Sequence, residues 1–411
     1  MTGILSTCAV CGAEIATKAC GRCKTLYCSQ HCQAEHWASG HKKQCKKIQR
    51  TGGAEQFHAD AKFKEATDAA VASCTAEGVP QDAECFICRS SIEGKGIVSG
   101  CACHGGMGLA HVACLVRQAE MSVKEKEEWN TGAGILKWER CFDCGQFFHG
   151  AVQLALGWAC WKTYASRPES DVYRSEALGV LGNALRASHR DDHRSEALGV
   201  LGCSLSASRC DEALPVLEAK VGLCRRYWPY DEEHTLVAQA DLAMCLGDLG
   251  RHDEALVLQH EVYNKSRGLL EAGSSGAHTV IHGVNLAASL QAVRQHREAR
   301  SFLEQLMPTA RETLLPNDCV MLTLRHALAT TLFEDHTDER TYDDVMAAYK
   351  IMHDVTQRRK RVLGPGHPDT RMSVETLSDM REEVIRLTAG LDSDADSELQ
   401  REMRETLKPE L

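Results

Sequence analysis

The chain has 411 residues, 43% hydrophobic and 25% charged, with a formal net charge of −10. That length suggests roughly two to four domains with ample material for a large core. The acidic balance excludes a general binder of nucleic acid or anionic membrane surfaces, and no apolar run reaches the roughly 18 residues that a spanning helix needs.

Fourteen of the 21 cysteines fall in Cys-x-Cys, Cys-x2-Cys or Cys-x3-Cys pairs, or beside a histidine at ligand spacing. Metal sites need such close pairs and disulfide frameworks do not. The other seven (Cys74, Cys160, Cys203, Cys210, Cys224, Cys245 and Cys319) are scattered through helical sequence and read as ordinary buried thiols. The first residues carry no basic-then-apolar leader pattern. Free thiolates then imply a reducing compartment, so the expected location is cytoplasmic, with the nucleus as the alternative.

The first module, 8–45, presents Cys8-x2-Cys11, Cys20-x2-Cys23, Cys28-x3-Cys32 and His41-x3-Cys45. So short a segment cannot build an adequate apolar core, and metal binding must supply much of its folding free energy. The order of ligands, with Leu26-Tyr27-Cys28-Ser29-Gln30-His31-Cys32-Gln33 and His36-Trp37-x3-His41, resembles the MYND zinc finger. The resemblance implies interleaved sites: Cys8, Cys11, Cys28 and Cys32 on one zinc, and Cys20, Cys23, His41 and Cys45 on the other. His31 and His36 fall outside the pattern. Four protein donors per ion leave no open position for a metal-bound hydroxide, so the sites are structural. MYND fingers bind short proline-containing peptides, and the resemblance puts Ser29, Gln33 and Trp37 on that groove, with a core role as the other reading of Trp37. The basic cluster Lys42, Lys43, Lys46, Lys47 and Arg50 reads as a solvated helix face. Residues 46–84 read as a helical spacer ended by Gly78-Val79-Pro80.

The second module, 85–149, runs Cys85-x2-Cys88-x12-Cys101-x-Cys103-x7-His111-x2-Cys114-x26-Cys141-x2-Cys144. This resembles the RING-CH class of RING domain, and the PHD finger has a related ligand order. The RING-CH resemblance implies Cys85, Cys88, His111 and Cys114 on one zinc, and Cys101, Cys103, Cys141 and Cys144 on the other, making four Zn2+ per chain. RING domains act by positioning a ubiquitin-charged carrier enzyme, and Ile87 matches the residue that contacts it. Two departures weigh against that activity. No tryptophan occurs in Leu115-Val116-Arg117-Gln118, and Gly145 follows the last ligand where proline is expected. Trp138 reads as a substitute for the missing tryptophan or as core. His104-Gly105-Gly106-Met107-Gly108 is similar to an oxyanion-hole loop, but with no Gly-x-Ser-x-Gly elbow it reads as a zinc-site turn. No P-loop, dinucleotide fingerprint or His-Glu-x-x-His occurs.

From 150 to 390 the chain repeats. Arg174-Ser-Glu-Ala-Leu-Gly-Val-Leu-Gly182 recurs letter for letter at Arg194–Gly202. A longer period joins Leu201–Leu205, Leu242–Leu246, Leu286–Leu290 and Leu328–Leu332 in steps of 41, 44 and 42 residues. Ala213, Ala255 and Ala299, each after a glutamate, are small enough for the helices of a hairpin to pack closely. Leu249–Ala255 and Arg361-Val-Leu-Gly-Pro-Gly-His-Pro-Asp-Thr370 resemble the kinesin-light-chain type of tetratricopeptide repeat. That resemblance implies stacked hairpins with a peptide-gripping concave face, while an array that only spaces the zinc modules is the other reading. The tail, 391–411, is acidic at Asp392, Asp394, Asp396 and Glu398 and reads as a frayed helix or disordered.

The expected fold class is therefore mostly α: two small cross-braced zinc modules followed by an α-solenoid of helix hairpins. No catalytic constellation of side chains is present. The expected function is a zinc-binding adapter for proteins or peptides, with a RING-type ubiquitin ligase using the repeats as substrate reader as the alternative. Nucleic-acid binding by the fingers is not favoured, given the overall acidity.

Overall fold

The computed structural model describes residues 8–11, 16–79, 83–90, 96–103, 105–127, 134–196, 203–229, 232–271, 276–334 and 341–389. The chain divides into two compact units, Met1–Arg251 and His252–Leu411. The expected architecture is present: cysteine-rich modules come first, then helical repeats.

The first unit opens with a two-stranded antiparallel ribbon, β1 (Lys18–Ala19) and β2 (Leu26–Tyr27), followed by α1 (Gln30–His36) and α2 (Lys42–Arg50). Ser29 caps α1, its hydroxyl accepting from the Cys32 N–H at 3.2 Å. A kinked turn at Trp37–His41 separates the helices and delivers His41 inward. On α2 only Cys45 and Ile48 are buried, so the lysines form the solvated face expected of them.

The helix expected in 46–84 is present, but it is packed into a core and is more than a spacer. Helix α3 (Ala54–Ala76) buries Ala59, Ala66, Ala70 and Cys74 on one stripe. It packs against α5 (Gly150–Tyr164), with Gln56 Nε2 donating to the Lys162 carbonyl at 3.0 Å, and Glu55 pairs at 2.9 Å with Arg174 on the helix that follows α5. An alanine stripe has no strong amphipathic signature, yet it permits close helix contact. A freely solvated helix and a packed one therefore look alike in sequence.

The second zinc module is equally absorbed. Its helix α4 (Val112–Glu127) and the 3-10 turn Ile135–Trp138 contribute to one continuous core with α3, α5, α6 (Val172–Glu196) and α7 (Cys203–Tyr227). Ile97, Val98, Val112, Trp138, Trp161 and Leu217 all belong to it. The divisions drawn at 84/85 and 149/150 are thus not packing boundaries. Trp138 is 1% exposed, with its ring edge-on to Tyr164 at 6.1 Å, so it is a core residue. Helix α8 (Glu232–Asp248) closes the unit, where buried Lys220 on α7 lies 3.6 Å from Asp241 and 3.8 Å from Glu176. The first copy of the nine-residue repeat lies in α6, with Ala177, Leu178, Val180 and Leu181 buried. Residues 197–202 of the second copy, and with them the start of the Leu201–Leu205 step, lie outside the described residues.

The second unit contains α9 (His252–Glu271), α10 (Gly276–Ala292), α11 (His296–Thr313), α12 (Cys319–Glu334), α13 (Tyr342–Val362) and α14 (Pro368–Ala389), each packed on its sequence neighbour. The repeated positions supply the contacts. Leu286 and Leu290 on α10 meet Ala299 on α11, and Ala329 and Leu332 on α12 pack with Val345, Ala348 and Tyr349 on α13. The turns repeat as well. After α8, Gly250 takes φ +76° and the Arg251 N–H reaches the Leu246 carbonyl. One period later Arg294 takes φ +61° and the Gln295 N–H reaches Leu290. The same helix-ending turn is built with glycine once and with a strained arginine once.

Candidate metal centres

All sixteen candidate ligands are brought together in four groups of four, and within each group the donor atoms lie within 4.8 Å of one another. The groups are Cys8, Cys11, Cys28 and Cys32; Cys20, Cys23, His41 and Cys45; Cys85, Cys88, His111 and Cys114; and Cys101, Cys103, Cys141 and Cys144. Sequence-adjacent pairs alternate between sites, so each module is cross-braced.

The spacing tests which ion fits. Zinc with Zn–S bonds of about 2.3 Å sets tetrahedral sulfur–sulfur edges of about 3.8 Å, and sulfur–nitrogen edges of about 3.6 Å. In the first site Cys28 lies 3.5 Å from Cys11 and 3.6 Å from Cys32, which is 3.9 Å from Cys11. Cys20 and Cys45 are 3.8 Å apart in the second site, and Cys103 and Cys141 are 3.7 Å apart in the fourth. His41 presents Nε2 to Cys23 at 3.3 Å, whereas His111 presents Nδ1 to Cys88 at 3.4 Å and to Cys114 at 3.7 Å. These are edges of a thiolate–imidazole tetrahedron, well beyond the roughly 2.05 Å of a disulfide. The donor sets fit zinc, which when bound serves as a four-way cross-link with no coordination position left for water or substrate.

Local backbone geometry explains how short loops aim two thiols at one point. In three of the Cys-x2-Cys pairs the residue after the second cysteine has positive φ: Lys24 at 65°, Arg89 at 56° and Gly145 at 68°. In each, its N–H donates to the carbonyl of the first cysteine, at 3.0, 2.8 and 3.0 Å for Cys20, Cys85 and Cys141. Gly145 in place of the expected proline follows from this turn, because proline can neither reach positive φ nor donate an N–H. Backbone donors also act on the thiols. The N–H groups of Cys11 and Cys28 pull the Cys8 thiol down to about 6. Burial opposes the charge on Cys20, but the Cys23 N–H and His41 still lower it to about 6. A hydrogen bond from Cys101 is the main influence lowering Cys141 to about 5. In each group a neighbouring thiol is raised in turn (Cys28, Cys45 and Cys101, the first and last chiefly by hydrogen bonds to their partner cysteines and Cys45 by burial), so one thiol readily gives up its proton while another keeps it.

Three residues that are not ligands support the sites. The Thr25 hydroxyl lies 3.1 Å from Cys23 Sγ, and buried Tyr27 lies 3.0 Å from His36 Nδ1. Burial, followed by the neighbouring thiols, raises Tyr27 to about 12, and burial followed by His41 lowers His36, so the phenol donates to a neutral imidazole. The His36 ring in turn lies against ligand His41 at 4.7 Å. Tyr27 and His36 thus steady a ligand from behind. Both lie in the MYND-like stretch, but nothing in their nine-residue separation signals that they pair.

The proposed docking residues have differing environments. Trp37 is 42% exposed beside His41, and Val10 on the same finger is 36% exposed. Gln33 is half-buried, and the Ser29 hydroxyl is engaged in the α1 cap. Ile87 is half-buried and packed against the large core. Gly105–Gly108 form a single 3-10 turn just after Cys103, and His104 lies outside the described residues.

Residues 8–45 match the MYND finger family. A 52-residue stretch is 46% identical to ubiquitin carboxyl-terminal hydrolase 19 of Arabidopsis thaliana, covering 12% of this chain and 8% of that relative's length. Among solved structures, the nearly identical TPR-like repeats of a Podosopora anserina protein assigned to the kinesin light chains align over 61% of this chain and 97% of theirs, at 17% identity and a TM-score of 0.34. BtubC (BKLC) from P. vanneervenii aligns over 69% of this chain and 94% of its own, at 12% identity and a TM-score of 0.34. At such scores the repeat assignment rests on the helix hairpins themselves. Among the described residues no helix is long and apolar enough to cross a membrane.

Proposed function

We propose that this protein is an adapter that holds other proteins, with its zinc ions serving structure and not chemistry. The observation that carries this reading is the composition of the four sites: each is completed by protein side chains alone. The exposed Trp37 and Val10 supply apolar surface on a finger whose own interior is filled. In this reading a short, proline-containing peptide lies across Trp37 and Gln33, and the helical repeats offer further surface. In this reading the adapter works in a reducing compartment, which suits its many free thiols, with the cytoplasm as the proposed location. The test is binding of a proline-containing peptide panel to the zinc-loaded chain. Trp37→Ala should lose binding at least tenfold with four zinc ions retained, and unchanged binding would overturn the finger's role.

A second reading is favoured by the cross-braced grouping of the middle module and by Phe142, which lies between Cys141 and Cys144 and is 56% exposed. In that reading the module is a RING-type ubiquitin ligase. Ubiquitin chains formed by the wild type with a carrier-enzyme panel, and lost in Ile87→Ala, would establish it. No transfer from a fully metallated chain would leave the adapter.

A further inference from the structure

The charge of the whole chain conceals a local reversal. Residues 16–50 carry eight lysines and arginines against one acid, Glu35. With zinc bound, the four-thiolate and three-thiolate sites carry formal charges of about −2 and −1. The finger is cationic even so, and the remainder of the chain is more acidic than the −10 of the whole. All eight cations are exposed, and none has an acidic partner among the described residues. Beyond the finger the pattern changes: Lys62, Lys162, Arg174 and Lys220 each pair with a carboxylate.

The cations are also arranged. An α-helix turns about 100° per residue, so Lys42, Lys43, Lys46, Lys47 and Arg50 fall within an arc of about 140° on α2, opposite the buried Cys45 and Ile48. The row rises about 12 Å from Lys42 to Arg50. Both ends of the row continue. Before α2 stands Trp37, 42% exposed on the kinked turn, its ring 5.9 Å from that of His41. After α2 the Ala54 N–H donates to the Cys23 carbonyl at 2.8 Å, which brings the zinc turn carrying Arg22 and Lys24 to the far end.

Four of the five cations in the row are lysines, point charges that suit phosphate, whereas two-pronged capture of carboxylates favours arginine. An exposed indole beside a basic row is a stacking platform, and only a base outside a duplex can use it. Charges beyond about 8–10 Å are screened at physiological salt, so the acidic remainder of the chain leaves the row's local attraction in place. We propose that the finger binds single-stranded RNA, with phosphates along the α2 row and one base stacked on Trp37. In the proposed cytoplasmic location RNA is the single-stranded polyanion at hand. This activity goes beyond the adapter reading and does not depend on it.

The test is fluorescence anisotropy of an oligouridine of about 20 nucleotides, longer than one small domain covers, titrated with the full-length, zinc-loaded chain. It is repeated with a Lys43→Gln, Lys46→Gln double variant, with Trp37→Ala and with Trp37→Phe. Both lysines are exposed, so the double variant should keep the wild-type zinc content and melting temperature. Five phosphate contacts on a single strand give a log–log salt slope of about −3.5, an affinity loss of roughly 100-fold between about 50 and 200 mM KCl. The double variant should bind at least tenfold more weakly, with a slope shallower by about 1.4. Trp37→Ala should lose roughly tenfold or more, and Trp37→Phe should retain most of the affinity. No binding by the fully metallated chain at about 50 mM KCl, or binding indifferent to the double variant, would overturn the proposal. Duplex RNA bound as tightly as the single strand would remove the stacked base, and a deoxyribose strand bound more tightly would remove the choice of RNA. Tighter binding to phosphatidylserine vesicles or to an oligoglutamate peptide would assign the row to a membrane or an acidic protein. Binding of RNA only after Asp392, Asp394 and Asp396 are all changed to Asn would make the chain's own acidic segment the occupant. Each of these results overturns the assignment to single-stranded RNA.

Discussion

The two zinc modules share a ligand chemistry but differ in what surrounds it. In the finger the ligands are the interior. Its buried cluster is Cys8, Cys20, Cys23, Cys32 and Cys45 with only Tyr27 and Ile48, capped by Ala54 and Phe57 from α3. In the second module Cys85 and Cys141 sit at one side of a cluster that runs on through Trp138, Trp158, Trp161, Leu181 and Leu217. The same tetrahedral cross-link should therefore be the fold itself in one case and a local clasp in the other. A module's dependence on metal follows from the apolar area it can bury without the ion, not from its ligand count.

The largest expected effect tests that difference directly. Removing zinc with a strong chelator forfeits roughly 10–16 kcal/mol of apparent binding energy per structural site. Amide exchange should rise to unfolded rates across 16–50, while α3, α5, α6 and α7 stay protected. Loss of protection throughout α5 would break the comparison. Next, Trp138→Ala should cost the first unit about 3–5 kcal/mol in a denaturant titration, as large aromatic truncations do, and zinc content should stay at four. A drop in zinc would mean that the apolar core is needed to assemble the fourth site.

The buried lysine gives a metal-independent control. Lys220→Met leaves Glu176 and Asp241 without their shared cation, and removing one side of such a group costs about 3 kcal/mol or more. Burial works against the charge on Lys220, but Glu176 and Asp241 overcome it and hold its titration above the ordinary lysine value. A raised lysine contributes its stability fully below its ordinary value and loses it only as pH rises through the raised one. The lysine's own share of the gap should thus be flat from about pH 6 to 9, while Glu139, which burial raises to about 7 and Lys220 lowers, should widen the gap as pH rises through that value. A gap that closes across that window would reassign the charge state. The smallest effect comes from the zinc turns. Lys24→Gly and Arg89→Gly each relieve a positive-φ side chain worth about 1 kcal/mol. In the finger this should appear as a several-fold gain in zinc affinity, and in the second module as a small rise in melting temperature.

Much of the site was legible because metal ligands announce themselves. Cysteine and histidine pairs at two- to three-residue spacing seldom serve any purpose but metal binding, and two known patterns supplied an interleaving that spacing alone does not dictate. The hairpin array was legible for a similar reason, since leucine and alanine recurring near every 42 residues mark the positions where Ala299 and Leu290 meet. Thr25, Tyr27 and His36 were not legible, because their roles depend on approach across the ribbon and the kinked helix pair.

What the sequence determined by itself is therefore the set of atoms that can bind metal and the helical period, both encoded over short separations by residue type and spacing. Only tertiary structure decided that α3 is a core helix and that Trp138 is core. It also decided that Gly145 stands where proline could not, and that the lysines and arginines of the finger have no acidic partner among the described residues. The Gly145 turn is local and is visible only in its backbone angle, whereas the burial of α3 and of Trp138 depends on which surfaces meet after the chain has closed over long separations. Burial and charge balance at that range are properties of the packed neighbours, and alanine, glycine and arginine are compatible with many of them.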